Sequence, residues 1–468
     1  MMLSILNNHN PHEDKGVFEQ KVEEISSTLH HFIDAQLFTS ALLFICIFIA
    51  VFMSNIDAAH RSYQTLINMP FGLHFNGYII NTTLRHFVND LLLTIFFFVL
   101  GLEVKREFVI GELSELSKSM YVVLCAIGGA LLPIASYCFI NYNNPETING
   151  WAIPMATDTA LAIGVMYLFK NKISKKAFTL VASLAVIDDI LIIIVIALFY
   201  SPQFNLTMFL GASVVFLSLV MMNVCGFRHP LIYIILGLFL WFCIEQAGIH
   251  GTISGILVAM CIPARPKKKP KVAVKKIRKL LNKFEDEYSE EKHLLEEGMP
   301  HDLLEGVTDV SLEATTPLKR WENRLEIPVL VLVLPLFALT NGGFHIDFSH
   351  LSHTLSSTLF WGIFISLVFA KPAGLLLTSW VVQKLGIASR PKGIEYYDFV
   401  VISFLAGIGY TMSIFTSELS FSSHILSDMA KLSILISALV SALIAMSLMR
   451  IKQIDAAVGE RAKSRSND

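Results

Sequence analysis

The stretch AFTLVASLAVIDDILIIIVIALFY, residues 177–200, decides the fold class, because Asp188 and Asp189 are its only charged residues. With a rise of about 1.5 Å per residue, a helix of this length crosses the apolar core of a bilayer. A carboxylate near the middle of a membrane helix costs about 2.5–3.5 kcal/mol on insertion scales. The pair therefore predicts an ionisable site with a function, unless the stretch belongs to a soluble protein.

The composition favours a membrane protein. Of the 468 residues, 54% are hydrophobic and 16% are charged, and the mean hydropathy is +0.60, whereas soluble domains carry about 25% charged residues. The net charge of −2 says little about partners, and we expect no nucleic-acid partner. The six cysteines form no CxxC pair, so neither a disulfide framework nor a bound metal cofactor is indicated, and we expect no cofactor.

Apolar runs predict an all-α polytopic membrane protein with about twelve transmembrane helices. The predicted spans are 36–54, 88–104, 120–141, 151–169, 177–199, 206–224, 230–244, 247–263, 327–341, 357–383, 397–417 and 431–449. With the N-terminus inside, the segments on the cytoplasmic side hold 32 of the 36 lysines and arginines. This bias supports the layout and predicts that both termini are cytoplasmic.

The domain organisation follows from these spans. We expect a polar cytoplasmic extension at 1–35, a membrane domain at 36–450 and a cytoplasmic tail at 451–468. A longer cytoplasmic insertion, 264–326, begins with a basic half that anionic membrane lipids attract. It is either a solvated linker or a regulatory amphipathic helix, whose helical spacing is carried by Ile277, Leu280, Leu281, Phe284 and Tyr288.

A second soluble piece, residues 63–83, predicts a β-hairpin on the extracytoplasmic side. Phe71, Leu73 and Phe75 alternate with other residues, and Asn76-Gly77 follows directly. An Asn-Gly pair between alternating runs is a strong hairpin signal.

Four charged residues lie deep in predicted spans: Asp158, Asp188, Asp189 and Lys371. A structural ion pair explains one acid, but a single lysine cannot neutralise three. Neighbouring helical residues point about 100° apart, so one member of the pair can meet Lys371 while the other faces a cavity. A carboxylate that holds either a proton or a small hard cation gives a physical basis for exchange.

Backbone irregularities point to the same depth. Pro154 precedes Thr157 and Asp158 in the fourth span, and Gly407 and Gly409 precede Thr411 in the eleventh. Irregular backbone survives in a membrane only when it is buried in protein or lines a cavity. Glycine and proline are also tolerated in ordinary helix packing, but two such breaks with polar residues favour a transport site.

A broken helix also leaves charged ends within the membrane. Asp158 could compensate the positive N-terminal end of a half-helix, and Lys371 the negative C-terminal end of another.

Several motifs in one order resemble the NhaA family of sodium/proton antiporters from about Leu37 to Arg450. They are GLEVKREFVIGELS (101–114), WAIPMATDTALAIGV (151–165), AVIDDILIIIVIALFY (185–200), GIHGTISGILVAMCIP (248–263), LPLFALTNGG (334–343), AKPAGL (370–375) and LAGIGYTMSIF (405–415). The resemblance implies inverted repeats with two broken, crossing helices. The NhaA family is itself one of the examples in which broken helices mark a transport site. The helix breaks and the resemblance are therefore not independent indications.

The resemblance also implies roles for individual residues. Asp189 is the expected main ligand of Na⁺ or Li⁺, and Asp188 the expected second ligand and partner of Lys371. Thr157, Asp158 and the stretch from Gly407 to Thr411 match the unwound segments. The implied activity is secondary active transport, not enzymatic catalysis, with about two protons moving inward for each sodium moving outward. A bacterial inner membrane and a homodimer formed through the 63–83 hairpin are implied as well.

A pH response is implied by further matches, which are Asp90, Glu103, Lys105, Arg106, Glu107 and His250. The alternatives are an ordinary charged helix end for the cluster at 103–107 and a satisfied polar contact for His250, which as a histidine could titrate near neutrality. The chain departs from the family at Pro263–Lys267, where acid and histidine groups are common, and in its longer insertion. Both departures bear on the pH profile rather than on exchange.

Two other classes use similar features. An intramembrane aspartyl protease needs two aspartates around one water, which Asp158 and one of the adjacent pair could supply, but Lys371 has no place there. A passive cation channel usually has rings of carbonyls or charges, and no repeated filter segment is visible.

Overall fold

The computed structural model describes residues 35–75, 78–111, 116–169, 173–200, 204–266, 270–287, 298–346, 351–391 and 393–465. The predicted extension at 1–35 therefore lies almost wholly outside the described residues.

The described residues are mostly helical, with one short β-hairpin and one 3₁₀ helix at Ile148–Met155. In chain order the helices are α1 Ala35–Asn55, α2 Asp57–Ile67, α3 Leu84–Ile110, α4 Leu116–Asn141, α5 Thr159–Tyr167, α6 Lys175–Phe199, α7 Leu206–Val224, α8 Pro230–Gln246, α9 Thr252–Cys261, α10 Pro270–Glu287, α11 Gly298–Ala314, α12 Pro317–Asn341, α13 Leu351–Ser356, α14 Thr358–Lys384, α15 Tyr396–Ala406, α16 Thr411–Ser420 and α17 His424–Arg465.

Eight helices in the described part of the chain are long and apolar enough to cross a membrane, and the α15–α16 pair, bent by 42°, makes a ninth candidate. These agree with nine of the twelve predicted spans. The other three predicted spans contain shorter helices: α8, α9, and α5 with the 3₁₀ helix before it. A polytopic helical membrane protein is thus confirmed, while the number twelve stays a prediction.

Burial separates the spans into inner and outer ones. In α6 and α14, 67% of the most apolar window is buried inside the protein, against 11% in α7. The two inner helices carry Asp188, Asp189 and Lys371. The protein therefore surrounds the ionisable groups, whereas α7, which contains no charged residue, is mostly exposed at the outside.

The two sequence breaks are breaks in the structure, and they contact each other. Residues 156–158 separate the 3₁₀ helix from α5, and residues 407–410 separate α15 from α16. The backbone N–H of Asp158 donates to the carbonyl of Ile408 at 2.6 Å. A Cβ atom at Gly409 would clash with the backbone oxygen of Ala156, so only glycine permits this approach. The irregular backbone is buried in protein, as membrane depth requires.

The β-hairpin is confirmed, with a shorter extent than predicted. Strand β1, Pro70–Phe75, pairs antiparallel with β2, Tyr78–Thr83, and Phe75 is opposite Tyr78. The Asn76-Gly77 turn lies outside the described residues. Residues 63–67, which we had included in the hairpin, form the end of α2 instead.

Within the described residues, the insertion 264–326 contains α10, α11 and the start of α12. The predicted amphipathic segment is α10, which packs against α11; Tyr288 lies outside the described residues. Residues 317–326 belong to α12, which continues without interruption into the ninth predicted span. At the other end of the chain, α17 runs through Arg465, so the membrane domain and the tail share one helix.

Candidate functional site

The two adjacent aspartates are equally buried but have different partners. Asp188 and Asp189 are 2% and 3% exposed. Oδ2 of Asp188 lies 2.9 Å from Nζ of Lys371 and accepts a hydrogen bond from Oγ1 of Thr157 at 2.6 Å. Their Oδ1 atoms are both buried and accept no hydrogen bond from the described residues. The α6 backbone thus directs one carboxylate to a cation and leaves the other open to a ligand.

Lys371 connects the pair to the first break. Its side chain is fully buried, and Nζ donates to the carbonyl of Met155 at 2.5 Å. Met155 is the last residue of the 3₁₀ helix, so the ammonium lies at the negative end of a short helix. Removing either member of such a buried pair leaves an uncompensated charge.

Asp158 joins the two breaks through its carboxylate. Oδ1 accepts from the backbone N–H of Leu161 at 3.1 Å, which caps the start of α5. Oδ2 accepts from the N–H and the hydroxyl of Thr411, at 3.1 and 2.8 Å, where α16 begins. One carboxylate therefore satisfies the N-terminal ends of both half-helices, where negative charge is favoured. Since both oxygens are occupied, Asp158 is poorly placed to activate a water, and nothing favours the protease alternative.

Thr157 touches both the pair and the second break. Its hydroxyl lies 2.6 Å from Oδ2 of Asp188 and 2.9 Å from the carbonyl of Ala406. A hydroxyl has one proton, so it can donate to only one of these acceptors at a time.

A cavity of about 270 Å³ leads to Asp189. Asp189, Thr157, Asp158 and Thr411 line one part of it; Glu103, Arg106, Glu322 and Glu326 line another. The cavity therefore places Asp189, the predicted main cation ligand, and part of the predicted pH cluster on one continuous surface. Asp188, the predicted second ligand, is not among the residues that line it.

Arg106 organises the charged part of this cavity. It contacts Glu322 directly, and its Nη2 lies 3.0 Å from Glu107 and 3.6 Å from Glu103. Glu322, on α12, is only 3% exposed. Lys105 is not in this group, because its Nζ donates to the carbonyls of Met260 and Ile262 at 2.5 Å each.

Asp90 and His250 do not line this cavity. Asp90 lies 3.9 Å from His86 on a half-exposed part of α3. Nε2 of His250, in the turn between α8 and α9, lies 3.2 Å from the carbonyl of Tyr200. Burial lowers the pKa of His250 below its ordinary value, while the contact with Tyr200 and the charge of Glu245 oppose this shift.

Glu322 and Glu326 were missed by the sequence analysis, which placed both in the insertion. Their signal is the apolar spacing of Trp321, Leu325 and Val329, which continues the helical period of α12 toward its N-terminus. The structure bears this out, since the ring of Trp321 packs edge-to-face on Phe98 of α3, with 5.5 Å between the centroids.

Comparison with known proteins identifies a family and several relatives. The family model described as Na+/H+ antiporter 1 matches residues 30–449. The chain is 34% identical to the Na(+)/H(+) antiporter NhaA 1 of Pseudoalteromonas atlantica, with 92% of this chain and 91% of the relative covered. It is 35% identical to NhaA of Sulfurimonas denitrificans, with 87% and 91% covered. It is 36% identical to NhaA of Helicobacter pylori, with 90% and 94% covered.

The family match spans nearly the same residues as the motifs quoted from the sequence, and the relatives are covered over most of their own length. The chain belongs to the NhaA family of Na⁺/H⁺ antiporters.

Proposed function

We propose that this protein exports Na⁺ or Li⁺ in electrogenic exchange for protons, with about two protons entering per cation. The observation that carries the proposal is the unequal environment of the adjacent aspartates. Asp188 has a cationic partner, whereas Oδ1 of Asp189 accepts no hydrogen bond from the described residues. Asp189 is therefore the group on which a proton and a small cation compete.

The exchange cycle follows from this competition. A cation enters the cavity past Arg106, displaces the proton of Asp189 and takes oxygen ligands there, with Asp188 as the second carboxylate. Hard cations favour such oxygen ligands. The contact between Asp188 and Lys371 must then rearrange, because the cation supplies positive charge that the ammonium otherwise provides. Lys371 or Asp188 releases the second proton in that step.

The two helix breaks allow the half-helices around the site to move. Asp158 holds the starts of α5 and α16 together, while Thr157 has alternative acceptors in Asp188 and Ala406. We infer that the two interrupted segments cross as an inverted repeat of spans three to five and ten to twelve. Small rotations of the half-helices about this point would expose Asp189 to one side of the membrane and then to the other.

The finer topology belongs to the same proposal. We infer twelve spans, cytoplasmic termini, location in a bacterial inner membrane, contacts with membrane lipids and a homodimer formed through the hairpin. The lysine and arginine bias supports the orientation. In this orientation, the part of the cavity lined by Glu103 and Glu322 lies toward the cytoplasmic side. There, the Arg106 cluster is positioned to regulate cation entry with pH.

Everted membrane vesicles test the exchange. After acidification of the lumen, addition of Na⁺ should release protons through the wild-type protein and not through Asp189→Asn. A control is Glu146→Gln, which also neutralises a carboxylate, at an exposed position outside the cavity, and should retain exchange. If Na⁺ releases no protons with the wild type, or releases them equally well with Asp189→Asn, the proposal is wrong.

A further inference from the structure

The first fourteen residues of helix α10 carry charge of only one sign. Its first fourteen residues, 270–283, contain six basic residues and no acidic one; the basic residues are Lys271, Lys275, Lys276, Arg278, Lys279 and Lys283. All six side chains are exposed. Within the described residues, no carboxylate lies within ion-pair distance of any of them.

The opposite side of α10 is used for packing on α11. At about 100° per residue, Ala273, Ile277, Leu280 and Phe284 fall within an arc of about 60°. These are the buried or half-buried positions, and Ala273 is 1% exposed. A Cβ atom at Gly306 of α11 would lie 3.5 Å from Leu280. The basic side therefore points away from α11 and away from its acids.

Two of the four acids of α11 face the body of the protein. Asp309 and Glu313 line a cleft together with Arg228, His229 and Arg320. This arrangement matches acidic groups to basic ones at the base of the α10–α11 hairpin. These two acids of α11 thus lie inward, and the positive charge of residues 270–283 is left for an external anionic partner.

The base of the hairpin is at the membrane surface. The carbonyl of Pro263, just beyond the end of α9, accepts from the N–H of Leu318 at 3.3 Å, and Nη2 of Arg228 lies 3.5 Å from the carbonyl of Pro266. Arg228 lies between the apolar helices α7 and α8. The residues that hold the hairpin are therefore those at which three apolar helices begin or end.

Exposed apolar side chains border the basic face. Val274 and Leu281 lie along one edge of it and are 56% and 41% exposed, and Val272, 56% exposed, lies within it. A soluble polyanion offers no apolar contact to such side chains, whereas a helix that lies in a membrane interface inserts them among the headgroups. Lysines beside an anionic leaflet each contribute about 1 kcal/mol to binding.

We propose that the basic face of α10 binds anionic phospholipid headgroups of the leaflet next to which the hairpin is anchored. The bound helix holds α11 and the start of α12, and α12 carries Glu322 at the cavity. Lipid composition therefore reaches the transport site through a continuous chain of helices. This inference does not depend on the exchange proposal, since its test measures lipid binding.

Thermal stability of the full-length protein in detergent tests the binding. Phosphatidylglycerol should raise the melting temperature of the wild type at lower concentration than that of the triple variant Lys275→Gln, Lys279→Gln, Lys283→Gln. A loss of about fivefold in lipid affinity per charge gives a shift of roughly 100-fold in the midpoint. The substitutions are exposed and keep good helix formers, so folding should be preserved.

Three controls make the outcome decisive. The triple variant with arginine at the same positions should behave like the wild type, and phosphatidylcholine should not distinguish the proteins. High salt should weaken the phosphatidylglycerol effect. Equal midpoints for the wild type and the glutamine variant would overturn the proposal. So would charge-dependent binding of soluble heparin without any response to phosphatidylglycerol, because the partner would then be a soluble polyanion.

Discussion

Nζ of Lys371 lies 2.9 Å from Oδ2 of Asp188, and both side chains are almost completely buried. The neighbouring Asp189 takes no part in this contact, although it belongs to the same turn of α6. The pair thus fixes one carboxylate in a neutralised state and leaves the next one to the cavity. This asymmetry, and not the mere presence of two acids, is what suits the site to exchange.

The pair predicts a specific pattern of stabilities. Lys371→Met should destabilise the protein by about 3–5 kcal/mol, because Asp188 is left as a buried charge without its partner. Asp188→Asn combined with Lys371→Met should recover part of this loss, since neither charge remains. Thermal or denaturant unfolding of the wild type, both single variants and the double variant gives the coupling energy. Additive losses in the double variant would show that the contact contributes no coupling.

The contact between the two breaks predicts a strong effect at Gly409. In Gly409→Ala the added Cβ meets the backbone oxygen of Ala156, which cannot move aside as a flexible side chain would. We expect a lower melting temperature and little Na⁺-driven proton release. Gly211→Ala is the matched control in α7, because its Cβ would meet only Cys243 Sγ at 3.8 Å. Equal behaviour of the two variants would mean that the close approach at Gly409 is unimportant.

Some of the site residues could be predicted from the sequence because they are unusual within an apolar helix. Asp188, Asp189 and Lys371 stand out because a charge in an apolar run has few explanations, and the breaks stand out because Pro154 and Gly409 interrupt helical segments. The sequence does not distinguish the roles of Arg106 and Lys105. Adjacent residues on a helix point in different directions, and the sequence alone does not say which neighbouring helix each side chain contacts.

Glu322 was missed for a different reason. A charged segment beside a basic insertion resembles a soluble linker, and its burial depends on packing of α12 against α3, which is distant in sequence. The remaining difference between prediction and structure concerns the lengths of α8 and α9. Both have apolar sequences like the other spans, but the turns at 225–229 and 247–251 limit their lengths.

His250 gives a prediction about pH. Burial lowers its pKa from the ordinary value of about 6.5. The ring is therefore neutral at pH 7 and above, and it gains its proton only as the pH falls below that ordinary value. His250→Gln should leave the pH dependence of exchange above pH 7 unchanged. A pH series of Na⁺-induced proton release in everted vesicles measures this, and a displaced midpoint in that range would assign His250 the sensor role that its pKa argues against.

Substitution of Glu322, unlike that of His250, should shift the pH dependence of exchange. Glu322→Gln removes a negative charge from the cavity wall and leaves Arg106 less neutralised, and both changes favour the ionised form of the remaining cavity carboxylates. Proton release from the cavity then becomes easier, so exchange should begin at lower pH than in the wild type. The same pH series measures the shift.

The control for this prediction is Glu146→Gln. Glu146 is exposed in the loop before the first break, outside the cavity, so its substitution should not move the profile. A profile of Glu322→Gln that coincides with that of Glu146→Gln, with normal maximal exchange, would show that the contact with Arg106 only holds α3 against α12. A shift toward higher pH would mean that the loss of the contact, and not the loss of charge, controls cation entry.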